Sequence, residues 1–128
     1  MAITSINFQS IPVADQDRAL AFYTGNLGFV VQTDAPYADN WRWIFLSLPG
    51  GETRLHFAST DDMVVHGKPA LCLVCDSVDD EAARLGETGV DIVDGPDDAP
   101  WQPGVRWLMI KDSEANLVLL ESYKAEGA

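Results

Sequence analysis

The sequence predicts an α+β fold built from two βαβββ modules, and three observations carry that prediction. Asp15 opens a helical pattern that stops at Gly28, and Asp76 opens one that stops at Gly89, 13 residues in both cases. Each pattern leads to an Arg-Trp strand, Arg42-Trp43-Ile44-Phe45-Leu46 and Arg106-Trp107-Leu108-Met109-Ile110. Seven residues after each Arg a turn begins, at Pro49 and at Ser113, and an apolar strand follows it. A repeat of about 60 residues holding both a helix and strands is longer than most solenoid units. Two copies therefore read as a paired module, within one domain over 1–128.

The elements follow in order. Ile6–Val13 reads as a strand with Pro12 near its end. Asn7 and Gln9 share a side with Ile11, which predicts a bulge or an exposed edge there. Asp15 is the expected N-cap of a helix striped by Ala19, Leu20, Tyr23 and Leu27, with Gly28 as its left-handed stop. Phe29–Gln32 reads as a short strand and Asp34–Asn40 as a polar loop. Trp41–Leu48 and Thr53–Ala58 complete an N-terminal module over 1–58, and 59–69 is a linker. The C-terminal module, 70–123, opens with the strand Ala70–Cys75. Asp76, with Asp79 in a capping-box position, is expected to cap a helix striped by Val78, Ala82, Leu85 and Gly89. Asp91–Val93 is a brief strand, Gly95–Gly104 a Pro- and Asp-rich loop carrying Trp101, and Val105–Lys111 and Leu117–Tyr123 the last strands. Beyond Lys124 a frayed tail is expected.

Alternation assigns faces. Ile44, Leu46 and Leu48 suit a helix layer, which turns Trp41, Trp43 and Phe45 to the opposite side, where a cavity is expected. By the same rule Leu55 and Phe57 pack on the helix, leaving Arg54 and His56 for the cavity side. Leu108 and Ile110 oppose Trp107 and Met109. Val118 and Leu120 oppose Leu117, Leu119 and Glu121.

Of 128 residues, 47% are apolar, an ordinary globular value. No run approaches the ~20 apolar residues of a membrane span. The start, Met1–Ser5, has neither a basic segment nor an apolar signal core, so a cytoplasmic location is expected. The net charge is −12, much of it in Asp76–Asp98. This acidity reads either as a solubilising surface or as an attractor of cationic ligands. It disfavours nucleic acid, which needs a basic footprint. Cys72 and Cys75 form a C-x-x-C on a strand rather than at a helix start, so they read as two buried free thiols. There is no Gly-rich phosphate loop and no nucleophile elbow.

Ile11-Pro12-Val13-Ala14-Asp15 through Phe22-Tyr23, followed by Leu27-Gly28-Phe29, resembles the opening of the vicinal oxygen chelate superfamily. That superfamily includes glyoxalase I, bleomycin-resistance and fosfomycin-resistance proteins and extradiol dioxygenases. Lys111-Asp112-Ser113-Glu114-Ala115-Asn116 looks like a degraded form of its closing D-P-D-G-N turn. The resemblance covers Ile6–Glu121. It implies two βαβββ modules whose curled, mixed sheets form a cavity, paired within a chain or swapped in a homodimer.

Metal-dependent members of the superfamily place a His, Glu, His and Glu set on four strands. The resemblance carries these positions to Phe8, His56, Ala70 and Leu119, of which only His56 is a donor. One His cannot hold a divalent ion. His66 lies in the linker, and a rearranged site using His56, Glu121 and a third ligand stays open. The implied reading is a protein with no cofactor and no catalytic residue, closest in character to the bleomycin-resistance type. It sequesters a small aromatic or cationic compound such as an antibiotic, as a homodimer, with no nucleic-acid or membrane partner. The residues expected to bind the ligand are Phe8, Trp43, Phe45, His56, Cys72, Trp101, Trp107, Met109, Leu119 and Glu121, with Trp41 at the rim. Planar rings beside acidic groups suit stacking and cation–π contacts. The alternative is a glyoxalase-like lyase, isomerase or dioxygenase with a displaced metal site, or metal-free acid–base chemistry by His56 near Glu121.

Overall fold

A computed structural model describes residues 2–124; the tail expected beyond Lys124 lies outside the described residues. The chain divides after Val65 into two compact units. The first holds β1 (Phe8–Val13), α1 (Gln16–Gly25), β2 (Val30–Ala38), β3 (Trp41–Ser47) and β4 (Arg54–Ser59). The second holds β5 (Pro69–Val74), α2 (Val78–Glu87), β6 (Ile92–Asp98), β7 (Val105–Lys111) and β8 (Leu117–Tyr123). Each unit is thus a βαβββ module of an α+β fold. Their sheets share one topology, β1-β4-β3-β2 and β5-β8-β7-β6. In both, the first strand pairs parallel with the last and the other pairs are antiparallel.

In the first module Asp15 caps α1, accepting from the Arg18 N–H at 3.0 Å. Gly28 turns the chain at φ 78°, a left-handed angle that only glycine adopts without cost. The buried face of α1 is Gln16, Ala19, Phe22 and Tyr23. Leu20 and Leu27 are only half-buried, and Leu27 lies past the helix end, so the stripe sits one step round from the expected one. This face packs with Ile11, Val13, Ile44, Leu46, Leu55 and Phe57 in a core that excludes water. Burying side chains of this size stabilises by ~1.5–3 kcal/mol each. Gln16 is buried because both ends of its amide are used: it donates to the Arg42 carbonyl at 2.8 Å and accepts from the Arg42 N–H at 2.9 Å.

In the second module the N-cap is Ser77, not Asp76; the Ser77 hydroxyl accepts from the Asp80 N–H at 3.2 Å. Asp76 stands one residue outside. Val78 and Leu85 carry the buried face of α2, against Val105, Leu108, Ile110, Val118 and Leu120.

The Arg of each Arg-Trp pair has one job, done twice. Arg42 meets Asp17 on α1 at 2.9 Å and Asp34 on β2 at 3.0 Å. Arg106 meets Asp79 on α2 at 2.9 Å and Asp98 on β6 at 3.0 Å. Each guanidinium ties the first helical turn and the edge strand to the sheet, and each is held firmly protonated by its two carboxylates.

Three further expectations need correction. The supposed loop Asp34–Asn40 is mostly strand, because β2 runs to Ala38 through Pro36. Proline is tolerated there because β2 is an edge strand. The supposed loop at Gly95 is likewise strand as far as Asp98, with a register shift taken up between Asp94 and Asp97. Finally, Cys72 and Cys75 are free but not buried: Cys72 is exposed and Cys75 intermediate, because β5 is the edge strand of its sheet. β1 also lies at an edge, and Gln9 on it and Asn7 just before it are exposed, as expected. Among the described residues no helix is long and apolar enough to cross a membrane.

Candidate functional site

Strand register places one row of side chains across the face of each sheet that lies away from its helix. In the first module the row is Ser10 on β1, His56 on β4 and Phe45 on β3. In the second it is Cys72 on β5, Leu119 on β8 and Met109 on β7.

The first row is the centre of an aromatic wall. His56 lies 4.8 Å from Trp43, 5.0 Å from Phe45 and 5.3 Å from Phe8, ring centre to ring centre. Phe45 also meets Phe8 and Trp43 edge-on at 5.2 and 5.3 Å. Edge-to-face pairs of this kind add ~0.5–1.5 kcal/mol each beyond area burial. Arg54 lays its guanidinium 4.3 Å from the Phe45 ring centre and donates to the Asn7 side-chain oxygen. Tyr37 stacks on Trp43 at 5.2 Å, 26° from parallel. Phe45 is almost fully covered, whereas Phe8 (41% exposed), Trp43 (36%) and Tyr37 (67%) keep open surface.

His56 is the polar element in that wall. Its Nδ1 shares a 2.9 Å hydrogen bond with the Ser10 hydroxyl. Its Nε2 is buried and has no hydrogen-bond partner among the described residues. Burial among rings pushes its pKa below the usual 6.5, so the imidazole is neutral at physiological pH.

The second wall is built on a carboxylate. Glu121 accepts from the Cys72 thiol at 3.1 Å, the Trp101 indole N–H at 3.2 Å and, at 3.4 Å, the Tyr123 hydroxyl. Trp101, 54% exposed, tilts over Trp107 at 6.1 Å. Trp107 pairs with Glu121 across the strands, and its indole N–H is buried without a partner among the described residues. Partial burial, and then the hydrogen bond to Glu121, push the Cys72 thiol up to about 12. At that value very little of it is thiolate near neutral pH. The Glu121 charge raises the Tyr123 phenol too. A recess of about 390 Å³ in this module, lined by Asp79, Asp98, Arg106 and Tyr123 among others, opens near the α2 N-terminus and not on the Trp101–Trp107 face.

All ten expected site residues therefore lie on these walls or in their rows: Phe8, Trp43, Phe45 and His56 in one module, and Cys72, Trp101, Trp107, Met109, Leu119 and Glu121 in the other. Trp41, the expected rim residue, is half-buried beside the β2–β3 turn. Ser10, Tyr37 and Tyr123 had not been singled out. Alternation was the available signal: Ser10 and Phe8 share a side of β1, and Tyr123 and Glu121 share a side of β8. Tyr37 was hidden by reading its strand as a loop.

The metal set of the superfamily does not fit these residues. Phe8, Ala70 and Leu119 offer no donor atoms, and the described residues include no group of three or more His, Cys, Asp or Glu able to hold an ion.

Comparison with known proteins agrees with the architecture. The profile of the Glyoxalase/Bleomycin resistance protein/Dioxygenase superfamily matches residues 5–120. The fold is similar to that of TnmS3, an antibiotic binding protein from Streptomyces sp. CB03234, at 34% identity and a TM-score of 0.82, covering 97% of this chain and 99% of that one. It is equally similar, with a TM-score of 0.82 at 27% identity, to a superfamily member from Sphaerobacter thermophilus DSM 20745, covering 94% of this chain and 98% of that one. YurT of Bacillus subtilis (strain 168) is 37% identical over an alignment covering 68% of this chain and 76% of YurT. The chain belongs to the glyoxalase/bleomycin resistance protein/dioxygenase superfamily.

Proposed function

We propose that this chain is a metal-free binding protein that sequesters an aromatic or cationic organic compound such as an antibiotic, working as a homodimer. The observation that carries the reading is the pair of aromatic walls, with rings and aliphatic side chains where metal-dependent relatives place ligands. Trp43 and Phe8 offer flat apolar surface for stacking. Trp101 and Trp107 stand beside the Glu121 carboxylate, a setting that attracts a cation by charge and by ring quadrupole. TnmS3, an antibiotic binding protein, supports the same reading. Dimerisation is the superfamily habit, and the edge strands β1, β2, β5 and β6 are what a closed assembly would cover.

Titration with planar aromatic and cationic compounds, followed by tryptophan fluorescence, tests the proposal. Trp43→Ala and Trp107→Ala should each cost about 2 kcal/mol, or roughly 30-fold in affinity. Folded variants that bind as tightly as wild type would assign both rings to packing instead. Light scattering should give twice the 14.0 kDa chain mass. Near-stoichiometric zinc, nickel, iron or manganese that is lost in His56→Ala would move the reading to a glyoxalase-type enzyme with neutral His56 at its centre.

A further inference from the structure

We propose that the guest is an oxygen-bearing planar aromatic, selected through a hydrogen bond between its carbonyl or hydroxyl oxygen and His56 Nε2, and that the Trp107 indole N–H offers a separate position of the same kind on the wall of its own module. This rests on the binding role proposed above and names the chemical class of its ligand.

Among the described residues His56 lacks a partner for one ring nitrogen. Its Nε2 is buried, and the groups packed round the ring are Phe8, Trp43 and Phe45, which offer no strong acceptor. Ser10 already engages Nδ1, so it cannot serve the other nitrogen. A buried polar atom left unpaired is costly, and native proteins tolerate few. For packing alone, a third phenylalanine beside Phe8 and Phe45 would carry no such cost. A neutral imidazole oriented by Ser10 instead keeps one polar atom at a set position just beneath the apolar wall, where a guest that parts the covering rings can reach it. Whichever tautomer Ser10 selects, Nε2 can pair with a phenolic hydroxyl, and with the proton on Nε2 it can donate to a carbonyl.

Trp107 repeats the logic with less freedom. Its Nε1 is also buried and without a partner among the described residues, and an indole nitrogen only donates, so its partner must be an acceptor. Trp101, the neighbouring indole, already donates to Glu121. Each wall thus carries one unsatisfied polar atom among rings. A site built this way discriminates against an analogue that lacks the matching oxygen more sharply than an apolar pocket discriminates by size.

The test uses a matched pair, 9-oxofluorene-2-carboxylate and fluorene-2-carboxylate, which differ by one carbonyl oxygen. Both are titrated into the full chain by calorimetry and tryptophan fluorescence, in enough salt to screen the protein's charge. The ketone should bind wild type about tenfold more tightly or better. The preference should shrink at least threefold in His56→Phe, while hydrocarbon binding holds or improves, and His56→Gln should restore part of it. Unbound His56→Phe should melt no lower than wild type, since it removes an unsatisfied atom. Nitrogen NMR of wild type needs no variant: the His56 Nε2 or Trp107 Nε1 resonance should move with the ketone and stay put with the hydrocarbon. Equal binding of the two compounds, or a ketone preference unchanged in His56→Phe, would overturn this inference and leave the sequestration reading standing. No binding of either compound up to millimolar concentration would also overturn this inference, while the sequestration reading would stand or fall on the titration with cationic aromatics.

Discussion

The two modules share a scaffold and differ in their walls. Both helices have ten residues, both sheets follow one strand order, and Arg42 and Arg106 make the same pair of carboxylate contacts. The cross-sheet rows do not match. Ser10, His56 and Phe45 in the first module stand where Cys72, Leu119 and Met109 stand in the second. One wall is dense with rings, neutral at its histidine and capped by Arg54. The other is aliphatic at its centre and anionic at Glu121. Positions that hold the fold have kept their chemistry between the repeats, while positions that face outward have diverged. That contrast is expected of a scaffold whose specificity is set by a few side chains on rigid strands.

The last turn of each module is the sharpest scaffold difference, and breaking it should give the largest effect. The β3–β4 turn relies on Gly50, at φ 77°. The β7–β8 turn relies instead on buried Asp112, which accepts from the Glu114 N–H and Asn116 N–H at 2.8 Å and from the Asn116 side-chain amide at 2.9 Å. Asp112→Ala should cost about 3 kcal/mol, since several buried donors lose their acceptor. Hydrogen exchange should show the loss in β7 and β8 first. Protection falling equally in β3 and β4 would mean the modules do not lose stability independently.

The same turn carries a smaller, opposite prediction. Ala115 sits at φ 69°, in the left-handed region where a β-carbon is strained. Ala115→Gly should therefore stabilise the protein by ~0.5–1 kcal/mol, read as a rise in the denaturation midpoint.

His56 gives the walls different pH responses, because its counterpart in the row is Leu119, which does not titrate. Burial lowers the folded-state pKa of His56 below 6.5. Between those two pKa values the unfolded chain binds more protons, so stability rises with pH across that window. The contribution is fully present above about pH 6.5 and is lost as pH falls towards the folded-state value. The stability difference between wild type and His56→Phe should be flat at neutral pH and turn against wild type as the solution is acidified. A difference that stays flat down to pH 5 would mean that His56 is solvated in the folded protein.

The fold was legible in the sequence because it is written twice. Two helical patterns closed by Gly28 and Gly89 and paired Arg-Trp strands defined both modules, although the equal Asp-to-Gly spacing was not a true equivalence because Ser77 caps α2, and period-two alternation placed Ile44, Leu46, Leu55, Phe57, Val118 and Leu120 in the cores. The misreadings have physical reasons. Pro36 and Pro96 mimic loop signals, but both lie in edge strands, where a missing N–H costs nothing to the ladder. Cys72 reads as a small core residue unless β5 is known to be an edge. In the site, the rings and His56 were visible through alternation. The pairings of Ser10 with His56 and of Cys72 and Trp101 with Glu121 join residues 46, 49 and 20 positions apart, and depend on register that local patterns do not encode.

The smallest effect tests the scaffold identity itself. Arg42 and Arg106 are each about one-third exposed, and their carboxylate partners are more open to water. Ion pairs in such settings contribute little, since solvent screens them and ordering long side chains has an entropic cost. Arg42→Ala and Arg106→Ala should therefore lower the melting temperature only slightly, by similar amounts, and high salt should shrink both losses. The two sites belong to separate modules and share no partner, so the double variant should lose the sum of the single effects. One asymmetry is expected within this equivalence. The backbone of residue 42 stays clamped by the Gln16 amide after its side chain is removed, whereas no matching side-chain clamp on the backbone of residue 106 is seen among the described residues. Hydrogen exchange in β7 next to position 106 should rise more than exchange in β3 next to position 42. Equal exchange at both, or a double variant far less stable than the sum, would show that the two arginines do not act as independent copies of one tether.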